Sequence, residues 1–145
     1  MQIQNLQLDE KLDLIAKEET LEKQIEVARK IAQADSSFLP FMQIASWPQN
    51  KIAGIPEGMP ETYKPDTAIP IGIADTTARQ EFRRIKNFLP GGSMEKLSPA
   101  RRETMWMQML EGMHWKEANI LINIKDQTLH VLYPNLPQVL KAFGL

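Results

Sequence analysis

Apolar positions recur at helical spacing along most of the chain. Leu8, Leu12 and Ile15 fall at i, i+4 and i+7, and after Glu18-Glu19-Thr20 the pattern returns with Leu21, Ile25, Ala28 and Ala32. Both spacings gather apolar side chains on one face of a helix. Glu18 and Glu19 are expected near the start of the second helix, where the macrodipole favours acids. Asp35-Ser36-Ser37 is expected to stop that helix and cap a short third one over 38–45. Thr76-Thr77 offers an N-cap for a helix carrying Ala78, Phe82, Ile85 and Leu89, and Pro90-Gly91-Gly92 ends it. Ser98-Pro99 places serine at an N-cap and proline at the first helical position. The helix it opens has a stripe of Trp106, Met109, Leu110 and Met113 and ends near Gly112. Asn135 can cap a last helix through Leu136, Val139, Leu140 and Phe143.

Two stretches break this rhythm. Residues 47–75 hold Pro48, Pro56, Pro60, Pro65 and Pro70, with Gly54, Gly58 and Gly72 between them. Neither a helix nor a central strand tolerates so many missing N–H donors. Yet Ile52, Ile55, Met59, Tyr63, Ile69, Ile71 and Ile73 supply too much apolar surface for a disordered linker. The segment is therefore expected to cross the helical body as an extended strap with these side chains pinned into it. Residues 115–133 fit two patterns. As a helix, Ala118, Leu121 and Ile122 share a face and Glu117 sits in the first turn. As strands, 120–124 and 128–133 would flank a Lys125-Asp126-Gln127 turn. The helical pattern to about Lys125, followed by an extended piece, is the favoured alternative. The expected fold is mostly α: a compact single domain of about six helices over residues 1–145, with a long proline-rich extended segment wrapped across it. Its parts are an acidic helical part (1–46), the strap (47–75) and a helical part with a basic start (76–145).

Composition narrows the function classes. At 145 residues the chain suits one domain. The absence of cysteine excludes a disulfide framework, a thiolate metal site and a cysteine nucleophile. No apolar run reaches the roughly 20 residues that span a bilayer, and the first residues lack the pattern of a signal peptide, so a cytoplasmic protein without a membrane partner is expected. The net charge is only −1, but its distribution is uneven. Residues 1–35 carry five Lys/Arg against eight Asp/Glu, whereas 76–102 carry seven against two.

Catalytic and metal sites are not expected. Glu111 and His114 form a single E-x-x-H, where di-iron bundles use two with further carboxylates. His114 is better read as a starter of the next helix. No Gly-x-Ser-x-Gly elbow and no phosphate-binding loop occurs, since Gly91-Gly92-Ser93 lacks the lysine and follows a helix. No cofactor is implied. The basic middle is the strongest lead: Arg79, Arg83 and Lys86 share a helix face, Arg84 adds a fourth cation, and Arg101 and Arg102 occupy the first turn of the following helix. Positive charge in a first turn opposes the macrodipole, which points to a role outside local structure. These six, with Tyr63 and Lys64 on the strap, are the expected partner-binding residues, and another protein is the expected partner. Nucleic acid is the alternative, opposed by the overall acidity. Pairing of the arginines with the chain's own acidic helices is the structural alternative. Met105, Met107, Met109 and Met113, beside Trp106 and Trp115, are expected to serve core packing first and an adaptable interface second.

Several segments taken together resemble an uncharacterised family encoded by tailed bacteriophages, T-even-like and marine contractile-tailed phages among them. They include Phe41-Met42-Gln43-Ile44, Ile55-Pro56-Glu57-Gly58-Met59-Pro60, Tyr63-Lys64-Pro65-Asp66 and Glu81-Phe82-Arg83-Arg84. Arg101-Arg102, Met109-Leu110-Glu111 before His114, Lys116-Glu117-Ala118, Lys125-Asp126 and the closing Ala142-Phe143-Gly144-Leu145 follow in order. The isoleucine-rich stretch 120–124 departs from the more plainly helical pattern of that family. The resemblance implies an intracellular phage protein in the cytoplasm of an infected bacterial host, and it brings no activity, cofactor or catalytic residue. The expected function is that of a non-enzymatic phage accessory protein that binds a protein of replication, transcription, assembly or host defence. The alternatives are a nucleic-acid-binding accessory protein using residues 76–102 and a virion structural protein.

Overall fold

Helix signals in the sequence are realised at most of their expected positions in the structure, a computed structural model that describes residues 2–145. Eight α-helices occur among the described residues: α1 (Leu8–Ala16), α2 (Leu21–Ala34), α3 (Phe38–Ser46), α4 (Ala78–Lys86), α5 (Pro99–Glu111), α6 (Trp115–Asp126), α7 (Leu129–Leu132) and α8 (Leu136–Lys141). Short 3₁₀ turns cover Ile3–Asn5, Pro48–Asn50 and Ser93–Lys96. No strand occurs among the described residues, which removes the hairpin alternative for 120–133.

Caps explain several boundaries. Thr77 caps α4 in a full capping box: its side chain accepts from the Gln80 N–H, and the Gln80 side chain accepts from the Thr77 N–H. Ser98 caps α5 by accepting from Arg101 N–H, with Pro99 at the first helical position. Thr20 caps α2, so that helix starts at Leu21 and not at the preceding glutamates. Its buried residues are Gln24, Ala28 and Ile31, and Leu21 is exposed, so the inward face is rotated from the expected Leu21/Ile25/Ala28/Ala32 stripe. α4 stops at Lys86, earlier than expected, because the turn through Asn87 already leads into the Pro90-Gly91-Gly92 bend. The extended piece expected after Lys125 is instead a left-handed Gln127 (φ 57°) followed by the one-turn helix α7. Leu129 anchors that turn in the core.

α6 is the central helix. It packs against α1, α3, α4, α5 and α7, while α1 packs on α2 and α2 on α8. Ala118, Ile120, Leu121, Ile122 and Ile124 are all buried, so α6 is apolar around much of its circumference, as a helix enclosed by neighbours must be. Phe38, Phe41, Ile85, Trp106 and Val139 close the core around it. Phe88 meets Trp106 edge-on with ring centroids 5.3 Å apart, joining the turn after α4 to α5. Met109 and Met113 are buried, and Met105 and Met107 pack half-buried against the core.

Residues 51–77 form neither helix nor strand. Of the side chains expected to pin this segment, Ile52, Ile55 and Tyr63 are buried, but Met59, Ile69, Ile71 and Ile73 are exposed. The expectation that all seven pack inward is corrected for those four. Around Ile71 the chain makes a turn, Pro70 to Ile73, with Gly72 at φ +96° and Ile73 N–H reaching Pro70 C=O at 3.4 Å. Such a turn leaves few core contacts for the residues on it.

Candidate functional site

A central helix must partner the polar groups it buries, and Glu117, Lys125 and Asp126 on α6, with Gln127 just after it, organise the surface. Glu117 is 2% exposed. Its two carboxylate oxygens accept from Leu8 N–H (2.8 Å) and Ala78 N–H (3.0 Å), the first residues of α1 and α4. One side chain thus caps two helices, where the macrodipoles favour a negative charge. Burial pushes its carboxyl up from the ordinary range, against the lowering effect of the two backbone bonds. Asp9, also buried, is pushed up by desolvation against a bond from Gln7.

At the far end of α6, Lys125 Nζ is buried and donates to Pro56 C=O (2.9 Å) and to the Asp126 carboxylate. Asp126 in turn accepts from Gly58 N–H at 2.8 Å. Gln127 donates to the carbonyls of Ile44 and Trp47, at 2.9 and 2.7 Å. Lys125-Asp126-Gln127 therefore holds the end of α3 and the Pro56–Gly58 bend together. The Ile55–Pro60 and Lys125-Asp126 segments, separate in sequence, meet here. Thr62 Oγ1 donates to Met107 Sδ, and buried Tyr63 fixes the next turn. Burial, with the charge of Glu111, holds the Tyr63 hydroxyl above its usual range.

The cations expected to form a partner-binding cluster are dispersed in role. Arg79 reaches the Asp35 carboxylate (3.5 Å) and Gln4 C=O (3.4 Å). Asp35 is buried in a pair with Lys11 (2.6 Å) and accepts from Ser37 N–H and Oγ. Burial alone would raise the Asp35 carboxyl; the bonds from Lys11 and Ser37 outweigh it and hold the group below the ordinary range. Arg84 pairs with Glu81 one turn back (3.0 Å), and Lys86 lies over the Phe82 ring at 5.6 Å. The Arg102 guanidinium abuts Gly54, where φ is +78° and an added Cβ would overlap it. Its Nε is buried without a protein acceptor. Arg83 and Arg101 are exposed, and neither forms an ion pair among the described residues. Lys64 is exposed, whereas Tyr63 is turned into the core, where a partner cannot reach most of it.

His114 is buried, and its Nδ1 accepts from Lys116 N–H at 3.2 Å, so it caps α6 as a helix starter should. Glu111, beside it in sequence, is exposed. Among the described residues no group of three or more His, Asp or Glu could hold a metal ion, and no helix is long and apolar enough to cross a membrane.

Sequence reasoning missed Glu117, Lys125 and Gln127 as organising residues. A signal existed for the first two: a helix apolar around much of its circumference brings some of its charges inside. No feature of a single sequence shows which distant N–H or C=O groups they meet. The model of a family of unknown function, DUF6433, matches residues 11–131. No curated protein and no solved structure matches the chain.

Proposed function

The chain belongs to DUF6433, a family of unknown function, and we propose from its surface that it is a non-enzymatic accessory protein of a tailed phage that binds another protein in the infected bacterial cytoplasm. The observation that carries this reading is the placement of exposed apolar side chains. Of the seven large apolar residues exposed among the described residues, four (Met59, Ile69, Ile71 and Ile73) lie on one irregular segment. Ile73 is 67% exposed. Scattered apolar side chains are ordinary on a surface; several on one segment of a clamped loop mark a site of contact. In this reading residues 47–75 are a strap laid over the helical body, fixed near its start by Lys125, Asp126 and Tyr63 and presenting its isoleucines outward. Arg83 and Arg101, exposed and unpaired, add charge for orientation.

The test is a tagged pull-down from phage-infected cells, nuclease-treated and read by mass spectrometry. One stoichiometric protein partner is expected. It should be lost when Ile69, Ile71 and Ile73 are all changed to serine, and weakened by Arg83→Glu with Arg101→Glu, while both variants keep the wild-type circular-dichroism melt. Bait alone would overturn the reading. Partners that vanish with nuclease would replace it with nucleic-acid binding, whose affinity must fall steeply with salt. Recovery in washed particles would replace it with a virion role.

A further inference from the structure

Beside the clamp, the 55–62 bend and the first turns of α5 enclose a groove of about 520 Å³. Ile55 and Pro60 are buried and give it apolar walls; Met59 stands at it exposed. Glu57, Glu61 and Glu103 line it as well, and no lysine or arginine does. Glu57 touches Lys51 at 3.5 Å, but both side chains are open to solvent, so this pair neutralises little. Neither Glu61 nor Glu103 pairs with a cation among the described residues. Arg102, next to Glu103 in sequence, is turned onto Gly54 instead. The walls are held from behind by the Thr62–Met107 contact, buried Tyr63 and the Asp126 bond to Gly58, so the groove exists without a partner.

We propose that this groove is a docking site for a short protein segment in which lysine or arginine alternates with aliphatic side chains. The apolar walls with Met59 take the aliphatic groups, since methionine adapts to varied shapes. The unpaired carboxylates take the cations, and charge complementarity selects against acidic or purely polar segments. This deepens the reading of a protein-binding accessory protein and rests on it.

The probe is a fluorescein-labelled peptide in which leucine and lysine alternate, followed by fluorescence anisotropy against the full chain. Saturable binding is expected. Glu61→Gln with Glu103→Gln should weaken it about tenfold, as should Met59→Ser, and all three positions are open enough for the variants to fold. A serine/lysine peptide and a leucine/glutamate peptide should each bind at least about tenfold more weakly than the first. Absence of binding, equal binding of either control peptide, or binding indifferent to the groove substitutions would overturn the proposal. A partner captured from infected cells whose binding ignores Glu61, Glu103 and Met59 would overturn the groove alone and leave the accessory role standing.

Discussion

Glu117 is a charged side chain placed where two helices begin, and its removal exposes what it satisfies. Two backbone N–H groups, of Leu8 and Ala78, would lose their acceptor in a site closed to water. Glutamine can accept from one of them but turns its own N–H₂ toward the other. Glu117→Gln is expected to cost about 1–3 kcal/mol in urea denaturation, and Glu117→Ala more. The pH dependence has a definite sign. The carboxyl is raised by burial in the folded state. Between the ordinary carboxyl range and the higher folded value, the folded protein therefore retains a proton that the unfolded chain has released, and stability from this group falls as pH rises through that window. The advantage of wild type over Glu117→Gln should shrink as pH rises above the ordinary carboxyl range. A difference independent of pH would show that the Glu117 carboxyl is not raised.

Among the elements, the end of α6 holds one bend of a segment more than twice as long as the whole helix. Lys125 and Asp126 hold Pro56 and Gly58, so Lys125→Met with Asp126→Asn should free the bend while the apolar face of α6 stays packed. Limited proteolysis should then cut within residues 51–77 markedly faster, with the far-ultraviolet spectrum unchanged. Cutting at the wild-type rate would mean that Tyr63 and Ile52 alone hold the segment. Elements differed in how far sequence could read them. α4 and α5 were legible at their starts because Thr77 and Ser98 cap through neighbours a few residues away. α7 was not, because a single turn is set by the left-handed Gln127 and by the burial of Leu129, both tertiary. The exposure of Ile69, Ile71 and Ile73 escaped for a related reason: apolarity states a preference for burial, and only the path of the chain decides whether a core lies within reach. Of the candidate site, the basic residues were identifiable but their partners were not. The charge asymmetry was compatible with internal pairing, and Arg79 with Asp35 realises that pairing for one of the six.

Across the whole molecule, one buried network joins α1, the α2–α3 junction and α4. Lys11 and Asp35 lie at its centre, Ser37 supports them, and Arg79 reaches in from the basic segment. Asp35→Asn would leave the Lys11 ammonium buried beside a neutral amide, at an expected cost of about 3–5 kcal/mol at neutral pH. Because the folded Asp35 carboxyl is depressed, its contribution is fully present above the ordinary carboxyl range and is lost as pH falls through the lower folded value. The gap between wild type and Asp35→Asn should therefore close in strong acid, as followed by thermal melts across the acid range. A gap that persists there would assign the cost to packing and not to charge.

The double cap by Glu117 also sets an order of events during synthesis. Leu8 lies 109 residues ahead of the carboxylate that receives its N–H, and Ala78 lies 39 ahead. At the usual rates of synthesis, Leu8 joins the growing chain roughly 5–20 s before Glu117 does. During that interval the central helix is also missing, and Leu8, Leu12 and Ile15 have no α6 to pack on. The nascent first half is thus an unfinished surface, open to chaperones and to its own kind, until α6 is made and closes it.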